Sequence, residues 1–316
     1  MFLTKFRLLL AKIESPYGSD STPTVGSNAV AAKNIKINYA GETLERDTYR
    51  PTLSPESPLM GKRWIEISFD CELKGSGEAG TAPVIGALLQ ACGFSETVAG
   101  GASVLYAPAS TGIKSATLYL YDIADSGNCR LHKILGARGT FSVKADAGGI
   151  ALVSFKLMGL YTAMSDVSAP GAPTYETTKP PVVQSCTLSL NSVTSLVAQS
   201  VSLDVANDLT PQDDIASAGA IKAFIITGRK PAGTFNPEAV LAATYDFGAD
   251  WAAATQRALS LAIGATAGNI ITVTAPKLTP NSLADSDKSG ILTQDVPFRL
   301  GRSVDAGNDE LKLNFT

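Results

Sequence analysis

A chain of 316 residues, 45% hydrophobic and only 17% charged, can hold two cored domains and suits a protein that buries much surface, part of it between subunits. With a formal net charge of −3, nothing basic marks it as a duplex-DNA binder, which needs clustered Lys and Arg. One histidine and four scattered cysteines (Cys71, Cys92, Cys129, Cys186) lack the paired spacing of a zinc site and read as small buried hydrophobes.

Met1 to Lys12 begins like a signal peptide, but its apolar run from Leu8 to Ala11 falls short of the ~7–15 residues required. No stretch approaches the ~20 apolar residues of a membrane span, so the expectation is a protein made and folded in cytosol. Ser15 to Asn28 is rich in Gly, Pro and Ser. It should be extended and coreless, completing an N-terminal arm over residues 1–29 that is either disordered or tied down by a neighbour. Tyr17 and Pro23 are its candidate contacts.

Asn34 to Tyr39 and Arg63 to Leu73 alternate apolar and polar residues, the mark of strands with one wet face. Between them, Glu45 to Lys62 carries Pro51, Pro55 and Pro58. Compact domains seldom keep a structureless connection longer than ~12–15 residues without a function for it. The segment reads as an arm reaching a neighbouring subunit. Tyr49, Leu53, Leu59 and Met60 would anchor it, and Arg46, Asp47, Arg50 and Glu56 would set its register.

Ala82 to Phe94 predicts a helix, with Pro83 in its first turn and Gly93 as its stop. Strands follow at Ala116–Asp122, Arg130–Leu135, Gly139–Ala145 and Ile150–Leu160, with a tight turn at Ala147–Gly149. Four prolines between Asp166 and Pro181 mark a linker.

Beyond it the pattern repeats. Cys186–Asn191 matches Asn34–Tyr39, Val197–Val205 matches Lys62–Asp70, and Gly219–Thr227 matches Gly112–Leu120. Arg257–Gly268 matches Arg130–Gly139, and Ser289–Leu300 matches Gly149–Leu157. This is a duplicated domain, divided as arm 1–29, domain 30–165 with the loop 45–62 inserted, linker 166–184 and domain 185–316. In the second copy Asn236 to Tyr245 offers the helix, and Ser192 to Leu196 is too short a connection to hold an arm.

Chemistry finds little footing. His132 stands in an alternating strand segment, with no motif marking a nucleophile or orienting acid, and reads as a partly exposed strand histidine. Phosphate-loop, dinucleotide and nucleophile-elbow strings are absent. Asp204, Asp208, Asp213 and Asp214 lack the order of a calcium loop, and Trp64 and Trp251 suit packing better than sugar stacking. Neither an enzyme nor a cofactor or metal is expected.

The strings Lys12–Thr24, Glu45–Pro55, Thr227–Glu238 and Asp309–Phe315, in this order, resemble the tail tube (major tail) proteins of long-tailed, non-contractile bacteriophages, in the form with two tandem tube domains. The resemblance implies a mainly β chain of two β-sandwich or half-barrel domains, each with a flanking helix. It implies stacked rings, trimeric and pseudo-six-fold, forming a conduit for genomic DNA that slides through without specific binding. The arm would then bridge successive rings. The partners implied are other copies of the chain, a tape measure protein and the tail terminator and distal tail proteins, with no membrane. The place implied is the virion tail, assembled in the bacterial host cytoplasm. The alternative is a β-sandwich baseplate or adhesin-type binding module of a virion or cell surface.

Overall fold

An unbroken apolar run forms a strand only where both of its faces are covered. The computed structural model describes all residues except Ser192 and Ser195, and it buries Leu8, Leu9, Leu10 and Ala11 together. They lie in β1 (Phe2–Ile13), with Leu9 and Ala11 in the main core. Leu8 and Leu10 turn the other way, into a smaller core with Tyr119, Tyr121, Cys129 and Leu131. The opening is therefore an internal strand, paired antiparallel with β7 (Ala116–Ala124). This corrects the expectation of an arm awaiting a neighbour: the chain's own sheet ties it down.

The first half continues through β2 (Ala29–Val30), β3 (Ala32–Leu44), β4 (Leu59–Glu72), helix α1 (Gly86–Ala91), β5 (Phe94–Ala99) and β6 (Ser103–Pro108). After β7 come β8 (Asn128–Asp146), β9 (Leu152–Leu160) and β10 (Ser165–Ser168). The second half holds β11 (Thr187–Leu190), β12 (Ala198–Asp204), the hairpin β13 (Asn207–Asp213) and β14 (Ile221–Arg229), and β15 (Ala232–Pro237). Then follow α2 (Phe247–Ala252), β16 (Arg257–Ile263), β17 (Ile271–Pro280), β18 (Ala284–Lys288), β19 (Ile291–Gly301) and β20 (Lys312–Phe315). The fold is mainly β, and its pairings are antiparallel throughout the described residues.

The pairings, not the hydrophobic pattern, define the repeat. The first half joins β1 to β7, β7 to β8, β8 to β9, β9 to β4, β4 to β3 and β10 to β8. The second joins β11 to β16, β16 to β17, β17 to β19, β19 to β15, β15 to β12 and β20 to β17. Each contact in one list has its counterpart in the other, so β11 answers to β1, β12 to β3, and β16 to β7. The match of Cys186–Asn191 with Asn34–Tyr39 was thus displaced by one strand, because period-two alternation looks alike in neighbouring strands. Gly219–Thr227 falls in the β13–β14 hairpin, which occupies the place that Glu45–Pro58 takes between β3 and β4. Both halves therefore carry an insertion there. The expected short connection Ser192–Leu196 includes the two residues outside the description.

The helices also correspond, each lying between the β4-type and β7-type strands, and both are shorter than the patterns suggested. Gly93, at φ +84°, ends the first, and Phe94 already opens β5. In the second half Asp246, not Asn236, caps the helix, its side chain accepting from Ala249 N at 2.8 Å. Asn236 lies one residue before the end of β15 and accepts from Ser200 N at 2.7 Å. An Asn-Pro pair signals a break in backbone pairing, and here it marks a strand end.

Candidate assembly surfaces

β8 is too long for one domain. Its first part pairs with β7, and beyond Gly136 the chain bends, with a register shift between Leu135 and Arg138. Gly136 has φ +61°, and a Cβ there would stand 2.6 Å from the Tyr17 ring. Past the bend β8 runs on, and Ser142–Asp146 pair in five steps with Asp204–Ser200 of β12. The sheet thereby passes from the first half into the second. Val143, Ala145, Val201 and Leu203 are buried in one core common to both halves. Its aromatic centre stacks Phe155 against Phe69 (5.6 Å) and Phe141 (5.9 Å). Asn207 seals the corner, donating to Cys92 O at 2.7 Å and Gly139 O at 2.8 Å. A second join pairs β20 with β6, a strand with no counterpart in the second half.

The long loop projects away from all of this. Tyr49 and Leu53 are fully exposed at 106% and 105%, whereas Leu59 and Met60, also more than half exposed, belong not to the loop but to the start of β4, opposite Leu44 and Thr43 of β3. Glu56 gathers the loop, meeting Arg50 at 2.8 Å and Arg46 at 3.2 Å and accepting from Thr48. Asp47 forms no ion pair among the described residues. Where the hairpin leaves the sheet it touches the insertion of the second half: Lys62 Nζ lies 2.7 Å from Asp213, and Arg63 N donates to Gly219 O. That contact raises the Lys62 pKa through its bond to Asp213. The β13–β14 insertion itself lies over the first half's sheet, leaving a cleft of ≈ 400 Å³ lined by Lys36, Ile37, Leu157, Met158 and Leu209.

The two N-terminal candidates belong to the interior of the chain. The Tyr17 hydroxyl donates to Gly136 O and accepts from Phe224 N, both at 2.9 Å, and Arg138 sits over its ring. Burial first, then Glu14, raises the Tyr17 pKa against the opposing pull of Phe224 N–H and Arg138. Pro23 is buried. Nothing in the Gly/Pro-rich string foretold this, because the groups that receive Tyr17 lie more than a hundred positions away.

His132 is buried, not partly exposed. Tyr39 Oη lies 2.8 Å from its Nδ1 and Asp122 Oδ2 lies 3.1 Å from its Nε2, while Arg7 and Arg130 also hold Asp122. Burial lowers the imidazole pKa more than Asp122 raises it, so the ring is neutral, accepting from Tyr39 and donating to Asp122. Burial would raise Asp122, but bonds from Arg130 and His132 and the charge of Arg7 outweigh it and hold the carboxyl below its usual value. The cluster ties β1, β3, β7 and β8 together, and the groups bonded to His132 are the Tyr39 phenol and the Asp122 carboxylate.

The described residues thus present one projecting loop, one insertion folded onto the first half, and a sheet that crosses between halves, and no helix is long and apolar enough to cross a membrane. Among curated proteins none matches the sequence. A family model described as phage tail tube protein matches residues 7–300, nearly the whole chain, and the protein belongs to that family of structural tail proteins.

Proposed function

We propose that the chain polymerises as stacked rings into the tail tube of a long-tailed, non-contractile phage, the conduit through which genomic DNA leaves the virion. The carrying observation is the β8–β12 junction: two equivalent halves are already joined sheet edge to sheet edge inside one subunit. Three such chains would supply six equivalent units, a trimeric ring with pseudo-six-fold symmetry. The first unit takes in β1 and β10 and so spans 2–168, wider than the 30–165 expected, and the second is 185–316. Strand edges left open by one chain are covered by the next, which is how a β protein avoids indiscriminate pairing. The Glu45–Pro58 arm, with Tyr49 and Leu53 exposed on it, bridges to a neighbouring ring. A mildly acidic lumen lets DNA slide, since binding it would need clustered basic side chains. The tape measure protein inside the tube, and the terminator and distal tail proteins at its ends, are the further partners, met in the host cytoplasm during assembly.

Negative-stain electron microscopy of the purified chain tests this. Rings or tubes with six-fold appearance are expected; monodisperse single subunits at high protein concentration overturn it.

A further inference from the structure

Resting on the ring reading, the internal duplication also says which edges meet. The β8–β12 junction pairs the long β8 hairpin strand of one half with the β3-type strand of the other. Each of these strands has a counterpart. After β17, the second half interrupts its long strand at residues 281–283 and resumes as β18, which runs into the turn before β19 as β8 runs into the turn before β9. β18 is therefore the equivalent of the end of β8, and β3 is the equivalent of β12. Among the described residues β18 pairs only with β19, and β3 only with β4, so the other edge of each is open. Unpaired backbone donors and acceptors on such an edge are a template for a further strand.

We infer that β18 of one copy pairs antiparallel with β3 of a second copy, repeating between chains the junction that β8 and β12 make within one.

Aligning the two hairpins at their turns places Asp146 with Lys288. Carrying this across the sheets places Phe155 with Val296, Phe69 with Phe235 and Ile37 with Leu203. The facing pair Lys144–Ser202 then becomes Ser286 opposite Lys36. Other open edges do not qualify in the same way. The β20–β6 join uses a hairpin that the second half lacks, so it has no second-copy equivalent.

The test is the full chain carrying Ser286→Cys and Lys36→Cys together, allowed to assemble and then oxidised. Non-reducing electrophoresis should show a ladder of covalent oligomers that neither single variant gives and that reductant collapses. Rings or tubes that form without a ladder overturn the strand assignment and leave the ring reading standing. Failure of the wild type to form any ring overturns both.

Discussion

Replacing Tyr49 and Leu53 together by alanine removes two side chains that touch nothing in the lone subunit, both being fully exposed. If the arm docks on a neighbour, each would be buried there, contributing ~1.5–3 kcal/mol by the usual transfer values. Ordering each long side chain costs ~0.5–1.5 kcal/mol, leaving a net loss of ~2–4 kcal/mol per contact in the double variant. At 1.4 kcal/mol per decade this weakens the contact ~30-fold or more. In the proposed tube a ring would dock through several such contacts at once, so the concentration needed for tubes should rise by at least that factor. The assay is pelleting across a dilution series, with electron microscopy of the pellets. Circular dichroism melting should be unchanged, since surface truncations outside the core stay within ~0.5 kcal/mol. A critical concentration within threefold of wild type would refute the reasoning, and so would a lowered melting point, which would place the arm in the fold. Deleting Thr48–Ser57 should likewise keep the fold and abolish stacking.

His132 titrates below its ordinary value, so the folded state binds fewer protons than the unfolded one. Its contribution is complete above pH ~6.5 and is lost as pH falls below it, so His132→Gln should flatten the melting temperature between pH 7.5 and 5.5, measured by calorimetry. Phe155→Ala, at a fully buried position between Phe69 and Phe141, should cost ~3–5 kcal/mol in urea unfolding. Asn207→Ala leaves the carbonyls of Cys92 and Gly139 without their donor and should lower the urea midpoint by the equivalent of ~1–3 kcal/mol with the slope unchanged. Ellman's reagent should titrate Cys186 alone in the native chain: Cys71, Cys92 and Cys129 are buried, and burial, then Asp70 and Glu72, push Cys71 up to about 12.

Strands were legible wherever one face is wet. In β4, Ile65, Ile67, Phe69, Cys71 and Leu73 are buried while Glu66, Ser68, Asp70 and Glu72 are not, as alternation requires. β1 was misjudged for the converse reason: with both faces covered at Leu8–Ala11, its apolar run carries no period and looked like a leader cut short. The repeat was visible as a fact and misaligned in detail, because strand neighbours in these sheets are seldom neighbours in sequence. Only the pairing of β4 with β9, across some ninety positions, reveals which strand is which. The arm could be read because three prolines and exposed apolar groups are local properties. Tyr17 could not, since its partners come from Gly136 and Phe224.

The junction of β8 with β12 has a kinetic side. A sheet edge that meets its partner within one chain does so at an effective concentration set by the tether, independent of how dilute the protein is. The translational and rotational cost of association, ~4–15 kcal/mol for separate molecules, does not arise for that join. A closed ring of three such chains would have three intermolecular interfaces in place of the six of a ring built from single-domain subunits. Fusion also makes alternate units chemically distinct: the first can keep an extended arm, Glu45–Pro58, while the second folds its insertion back as β13–β14 onto its own chain. In the proposed ring, covalent doubling would give a symmetric assembly two kinds of position without a second gene product.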